Sequence, residues 1–184
     1  TFREWLREHD CFIAGVNAFP FGAFHAPAVK ANVYRPDWRS ADRLAYTLLV
    51  ARLLADLLPA GAAATLTTVP GGWLPDWSRA ADASRALENL RRAAAGCRAI
   101  FETTGHRIGI AVEPEPGGAW KLGDPQVEAA GPEIGWCGDA CHAAVDFQSL
   151  ENLDWRRIVR VQLSAALECD NAPAARAALA AFVE

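Results

Sequence analysis

The chain has 184 residues, 52% hydrophobic and 22% charged, with a formal net charge of −4, which allows one large core and gives no electrostatic footing for nucleic acid or an anionic membrane. No run approaches the roughly 18 apolar residues of a membrane span, and the opening TFREWLREHD is an amphipathic charged stretch rather than a signal peptide. Five cysteines, an odd number without secreted-scaffold spacing, point to reduced thiols and a cytoplasmic protein.

In chain order, CFIAGVNAF (11–19) is an apolar run of strand length. Residues 42–58 form a helix with Leu44, Leu48, Ala51, Ala55 and Leu58 on one stripe. TLTTV (65–69), β-branched and bounded by Gly61 and Pro70, is strand again. Residues 78–102 carry Leu87, Leu90, Ala94, Cys97 and Phe101 at helical spacing, with Gly105 past the end. Strands follow at 107–113, 133–139 and 158–164, with a short helix from His142 and a last one from about 172. A partial echo, RPDWRSAD (35–42) against LPDWSRAAD (74–82), opens each long helix, with Asp37 or Ser40 and Asp76 or Ser78 as caps.

Apolar strands separated by amphipathic helices predict βαβ units and a parallel sheet buried on both faces. No Gly-rich phosphate or dinucleotide loop follows a strand. Five strands fall short of the eight in a (β/α)8 barrel, and the stretch between Glu115 and Glu133 is too short for a full crossover helix. The expectation is an incomplete (β/α)8 TIM barrel, one domain over 1–184, either truncated or lacking internal segments.

In such folds chemistry gathers at the carboxyl ends of strands. The third strand ends in AVEPEPGG, where Glu113 and Glu115 share a face if the chain stays extended. They are either ligands to a cation or proton, or a solvated loop entrance. The fourth ends in WCGDACH, setting Asp139 and His142 at one rim, as metal ligands or as a helix cap with a first-turn histidine. Gln162 ends the fifth, satisfying backbone or meeting a ligand.

The cysteines argue less. Cys137-x-x-x-Cys141-His142 lacks the C-x-x-C-H spacing of c-type haem, the chain has no methionine, and no second cysteine pair supports structural zinc. Both cysteines read as small buried residues. The longest loop, 17–38, holds Asn17, His25, Lys30, Tyr34 and Arg35 among aromatic residues. It reads as a lid or substrate wall, or as an arm packing on a neighbouring subunit.

GDACHAAVDF, preceded by a strand ending in VEPEP, resembles the xylose-isomerase-like TIM-barrel superfamily of sugar isomerases, epimerases and apurinic-site nucleases. The resemblance implies a divalent metal ion (zinc, manganese or magnesium) on Glu113, Asp139 and His142. More closely, VNAFPFGAFHAPAVKANVYRPDW, TLTTVPGGW, EPEPG, DACHAAVDF and VQLSAAL are similar to the EboE family, labelled metabolite traffic proteins and encoded in bacterial biosynthetic clusters. Where superfamily relatives end the next strand in a histidine ligand, this chain has Gln162.

Two functions are expected from this. One is a metal-dependent isomerase or epimerase of a small sugar-like or phosphorylated metabolite, with phosphoester hydrolysis as the alternative chemistry. Glu115, His25 and Lys30 are its catalytic candidates, and Asn17, Tyr34, Arg35 and Gln162 its substrate-binding ones. The other is a non-catalytic binder or scaffold. Expected partners are a small metabolite and proteins of the same biosynthetic cluster, without nucleic acid and without a membrane span.

Overall fold

The computed structural model describes residues 1–21, 32–145 and 153–163. Helix α1 (Phe2–Glu8) leads into β1 (Gly15–Asn17), α2 (Ala41–Leu57), β2 (Ala63–Thr68), α3 (Ala80–Thr104) and β3 (Arg107–Val112). After these come the single turn α4 (Pro125–Glu128), β4 (Ile134–Asp139), α5 (Ala140–Val145) and β5 (Ile158–Gln162). The five strands form one sheet in the order β1-β2-β3-β4-β5, every neighbouring pair parallel.

The expected (β/α)8 barrel is not what the chain forms. Its described residues make a five-stranded, half-barrel sheet. The reason is partly the number of units and partly the β3–β4 connection, which holds one helical turn in place of a crossover helix. The expected βαβ pattern of the front half is present, with α2 and α3 packed on the same side. The helix expected from about 172 lies outside the described residues.

One face of the sheet builds the core. Leu66, Ile108, Ile110, Val112, Ile134 and Trp136 alternate along their strands and pack with Leu44, Ala51, Leu54, Leu87, Leu90 and Cys97 of α2 and α3. Ser40 caps α2 by accepting from the Asp42 N–H at 3.1 Å. Arg79 occupies the N-cap of α3, rather than the expected Asp76 or Ser78. Asp76 is spent elsewhere, on Arg35 at 2.7 Å.

The opposite face is built of small residues. The register aligns Gly15, Thr65 and Gly109 in one row and Asn17, Thr67, Ala111 and Gly135 in the next. The sheet also curls strongly toward this face. In a flat sheet β1 and β5 lie four strand spacings apart, about 19 Å, yet the Arg160 guanidinium of β5 reaches the Val16 carbonyl of β1 at 3.5 Å.

Candidate metal centre

Parallel pairing brings the carboxyl ends of all five strands to one rim, and the residues that follow them set the site. β3 is buried from Ile108 through Val112, apart from half-buried Gly109, and Glu113 continues it with only 5% of its surface exposed. Its N–H donates to the Thr68 carbonyl of β2 at 3.0 Å, so the chain is still anchored to the sheet where the carboxylate leaves it. Pro114 and Pro116 keep the flanking residues extended. Gly117, at φ +83°, then turns the chain beneath Trp73, where a Cβ would sit 2.2 Å from the ring.

Asp139 ends β4 and is 6% exposed. Its Oδ1 accepts from the N–H groups of Cys141 at 2.8 Å and His142 at 3.0 Å. Asp139 is therefore a cap of α5, and that bond fixes the carboxylate at the rim. One turn on, the His142 ring lies between the two glutamates: Nδ1 is 3.9 Å from Glu113 Oε1 and 4.0 Å from Asp139 Oδ1, and Nε2 is 3.9 Å from Glu115 Oε1. Nδ1 is also 3.1 Å from the Pro114 carbonyl. In the tautomer protonated at Nδ1 this nitrogen donates to that carbonyl and Nε2, which faces Glu115, keeps the lone pair; in the other tautomer Nδ1 is the nitrogen turned to Glu113 and Asp139.

Glu113, Asp139 and His142 each offer a ligand atom, and these atoms lie within 4.8 Å of one another. The fit to a cation rests on a further observation: Oε2 of Glu113 is buried and meets no hydrogen-bond donor. Burial, followed by the charge of Glu115, pushes the Glu113 carboxyl up to about 7, against the opposing pull of His142 and the Gln162 amide. Burial also raises Glu115, opposed by His142 and by the Tyr34 hydroxyl. Two carboxylates and an imidazole with an unmet lone pair suit a divalent ion such as zinc, manganese or magnesium.

The sequence candidates divide by where the fold puts them. Glu115 joins the cluster, half-buried, with Oε2 accepting from Tyr34 Oη at 3.0 Å. Tyr34 was expected to line the substrate, but only 2% of it is exposed. Its hydroxyl serves Glu115 and the Pro116 carbonyl, and its ring packs on Phe19 and Trp73. Gln162 pairs in register with Asp139 and donates to Cys137 Sγ at 3.2 Å. Asn17 ends β1, its Oδ1 accepting from the Phe19 N–H and the Thr67 hydroxyl.

Arg35 is exposed and paired with Asp76, so the fold does not direct its charge at the acidic cluster. His25 and Lys30 lie outside the described residues. Cys137 is buried, as expected, while Cys141 is half-buried.

No protein-family model matches the chain, and no curated protein matches it. Among the described residues no helix is long and apolar enough to cross a membrane.

The sequence did not reveal the Pro114 carbonyl as the partner of His142, nor Tyr34 as the partner of Glu115. The first contact spans 28 residues and the second 81, and no local pattern encodes either.

Proposed function

We propose that the chain is a divalent-cation-dependent isomerase or epimerase acting on a small sugar-like or phosphorylated metabolite. The observation that carries the reading is the partnerless, buried Oε2 of Glu113 beside Asp139 and His142. Leaving such an atom unpaired costs about 1–3 kcal/mol, a cost that a cation held by these three residues removes. When bound, the cation supplies Lewis-acid polarisation of a substrate carbonyl or hydroxyl.

Glu115 handles the proton. Its Oε2 is fixed by Tyr34 while Oε1 faces His142, so one oxygen is positioned and the other is left for substrate. Its raised proton affinity brings it closer to the working range of a general base near neutral pH. The proton leaves the carbon beside the substrate carbonyl and returns either to the neighbouring carbon or to the opposite face of the same one. The resemblance of VEPEP and GDACHAAVDF to the xylose-isomerase-like superfamily favours this chemistry, whereas the resemblance to the EboE family bears on partner proteins of a biosynthetic cluster and not on the reaction.

A second reading, a protein that holds its metabolite without turning it over, is favoured by Gln162. Its amide is engaged with Cys137 at the position where the resemblance calls for a histidine ligand.

The two readings separate in heavy water. Manganese-loaded protein is incubated with a panel of ketoses, aldoses and their phosphates, and deuterium entering a carbon next to the carbonyl is followed by NMR. The enzyme reading expects exchange into at least one compound, slowed 100-fold or more in Glu115→Gln. Manganese binding with no exchange into any of the panel supports the binder.

A further inference from the structure

We propose a second ligand site on the concave face of the sheet, where Arg160 binds the phosphate or carboxylate of a small metabolite. A cavity of about 380 Å³ opens there, lined by Ala14, Gly15, Ala63, Thr65, Val159 and Arg160 among others. That volume lies within the usual range for small-molecule sites. Among the described residues its walls carry one charged group, the Arg160 guanidinium, and no carboxylate.

Three features make this a binding site rather than a gap between strands. The first is the arginine's unspent capacity. A guanidinium has five N–H donors, and among the described residues Arg160 makes one hydrogen bond, to Val16 O, at the long distance of 3.5 Å. It forms no ion pair with any described carboxylate. Its planar fork matches carboxylate and phosphate oxygens two at a time.

The second is the space kept for it. A Cβ on Gly15 would stand 2.9 Å from the Thr65 carbonyl, a backbone atom that cannot give way, and 2.5 Å from Arg160 Nη1, so glycine here leaves the guanidinium its present place over β1. The third is the composition of the face. Closed barrels fill this position with bulky branched side chains, whereas the rows here are Gly15-Thr65-Gly109 and Asn17-Thr67-Ala111-Gly135. The Thr65 hydroxyl, 3.1 Å from that same Cβ position, adds a neutral donor beside the cation.

Arg160 pairs in register with Cys137, and Gln162 with Asp139. The Arg160 backbone is therefore one pleat below Asp139, but the Gly15-Thr65-Gly109 row that its guanidinium meets lies two rows further from the rim, so the oxyanion site is separate from the acidic cluster. The oxyanion site does not depend on the cation reading.

The test uses cation-free protein, so that anion binding through a metal cannot contribute. Inorganic phosphate, and citrate separately, are titrated while amide chemical shifts are followed. Saturable shifts are expected at Gly15, Thr65 and Arg160, with a dissociation constant below about 10 mM. Arg160→Met weakens this binding at least tenfold. Absence of saturation by either anion, or equal binding in Arg160→Met, overturns the proposal. Should Arg160→Met fail to fold, Thr65→Val takes its place, with about fivefold weaker binding expected for one lost hydrogen bond and undiminished binding counting against the site.

Discussion

Glu113 shows at the scale of one residue how burial and charge set the chemistry of this rim. Its carboxyl, pushed up to about 7 by burial and by Glu115, binds a proton more tightly in the folded chain than in the unfolded one. Between the ordinary carboxyl value near 4.5 and about 7, the folded state therefore holds the extra proton. Stability of the cation-free protein then falls as pH rises through that window. Glu113→Gln, which cannot ionise, removes the dependence. The variant is expected to melt close to wild type at pH 4 and to be more stable by about 3 kcal/mol at pH 8. Thermal melts across pH check this, and a wild-type curve that rises from pH 5 to 8 contradicts it. Added cation reverses the trend, because it competes with the proton and binds more tightly as pH increases.

Among the elements, α2 ties the loop after β1 to the rest of the fold through a fully buried arginine. Arg43 donates from Nε to Pro36 O at 2.7 Å and from Nη1 to the carbonyls of Ala18 and Phe19 at 2.9 and 3.1 Å. Burial lowers its proton affinity to about 10. Arg43→Met keeps much of the volume but leaves three carbonyls without donors, so a loss of about 3 kcal/mol is expected. A urea unfolding midpoint close to that of wild type would contradict this role.

The two PDW turns are joined in the same region. Arg39 pairs with Asp37 at 2.7 Å, donates to the Asp76 carbonyl at 2.9 Å and lies over the Trp77 ring. Trp120 packs between Trp38 and Trp77. The repeated motif thus locks the loops after β1 and β2 to each other.

The long helices were legible in the sequence because their apolar stripes are continuous. The stripe from Leu87 to Cys97 is buried as its spacing requires. β1 was not delimited correctly. Cys11 to Phe19 is apolar throughout, but only Gly15–Asn17 pair with β2, since hydrophobicity alone does not encode hydrogen-bonding partners. The rim was legible in part. Glu113, Asp139 and His142 follow strands whose ends composition marks, so their meeting could be anticipated. Tyr34 could not be placed, because its contact with Glu115 depends on a loop that returns across the sheet.

At the scale of the described residues as a whole, a sheet of five parallel strands gathers its strand ends at one edge, so a site of three residues needs only β3, β4 and the turn into α5. Closure of a barrel is not required to assemble it. The small-residue concave face follows from the same curl, which lets a side chain of β5 meet the backbone of β1.

Whether Glu113, Asp139 and His142 hold a divalent ion decides what this rim does. Elemental analysis of purified chain, equilibrated with zinc or manganese and freed of excess, measures this directly, alongside the Glu113→Gln, His142→Ala double variant. One equivalent per wild-type chain and near none in the folded variant is the predicted result. An ion-free wild type, or an equal content in both, contradicts the account.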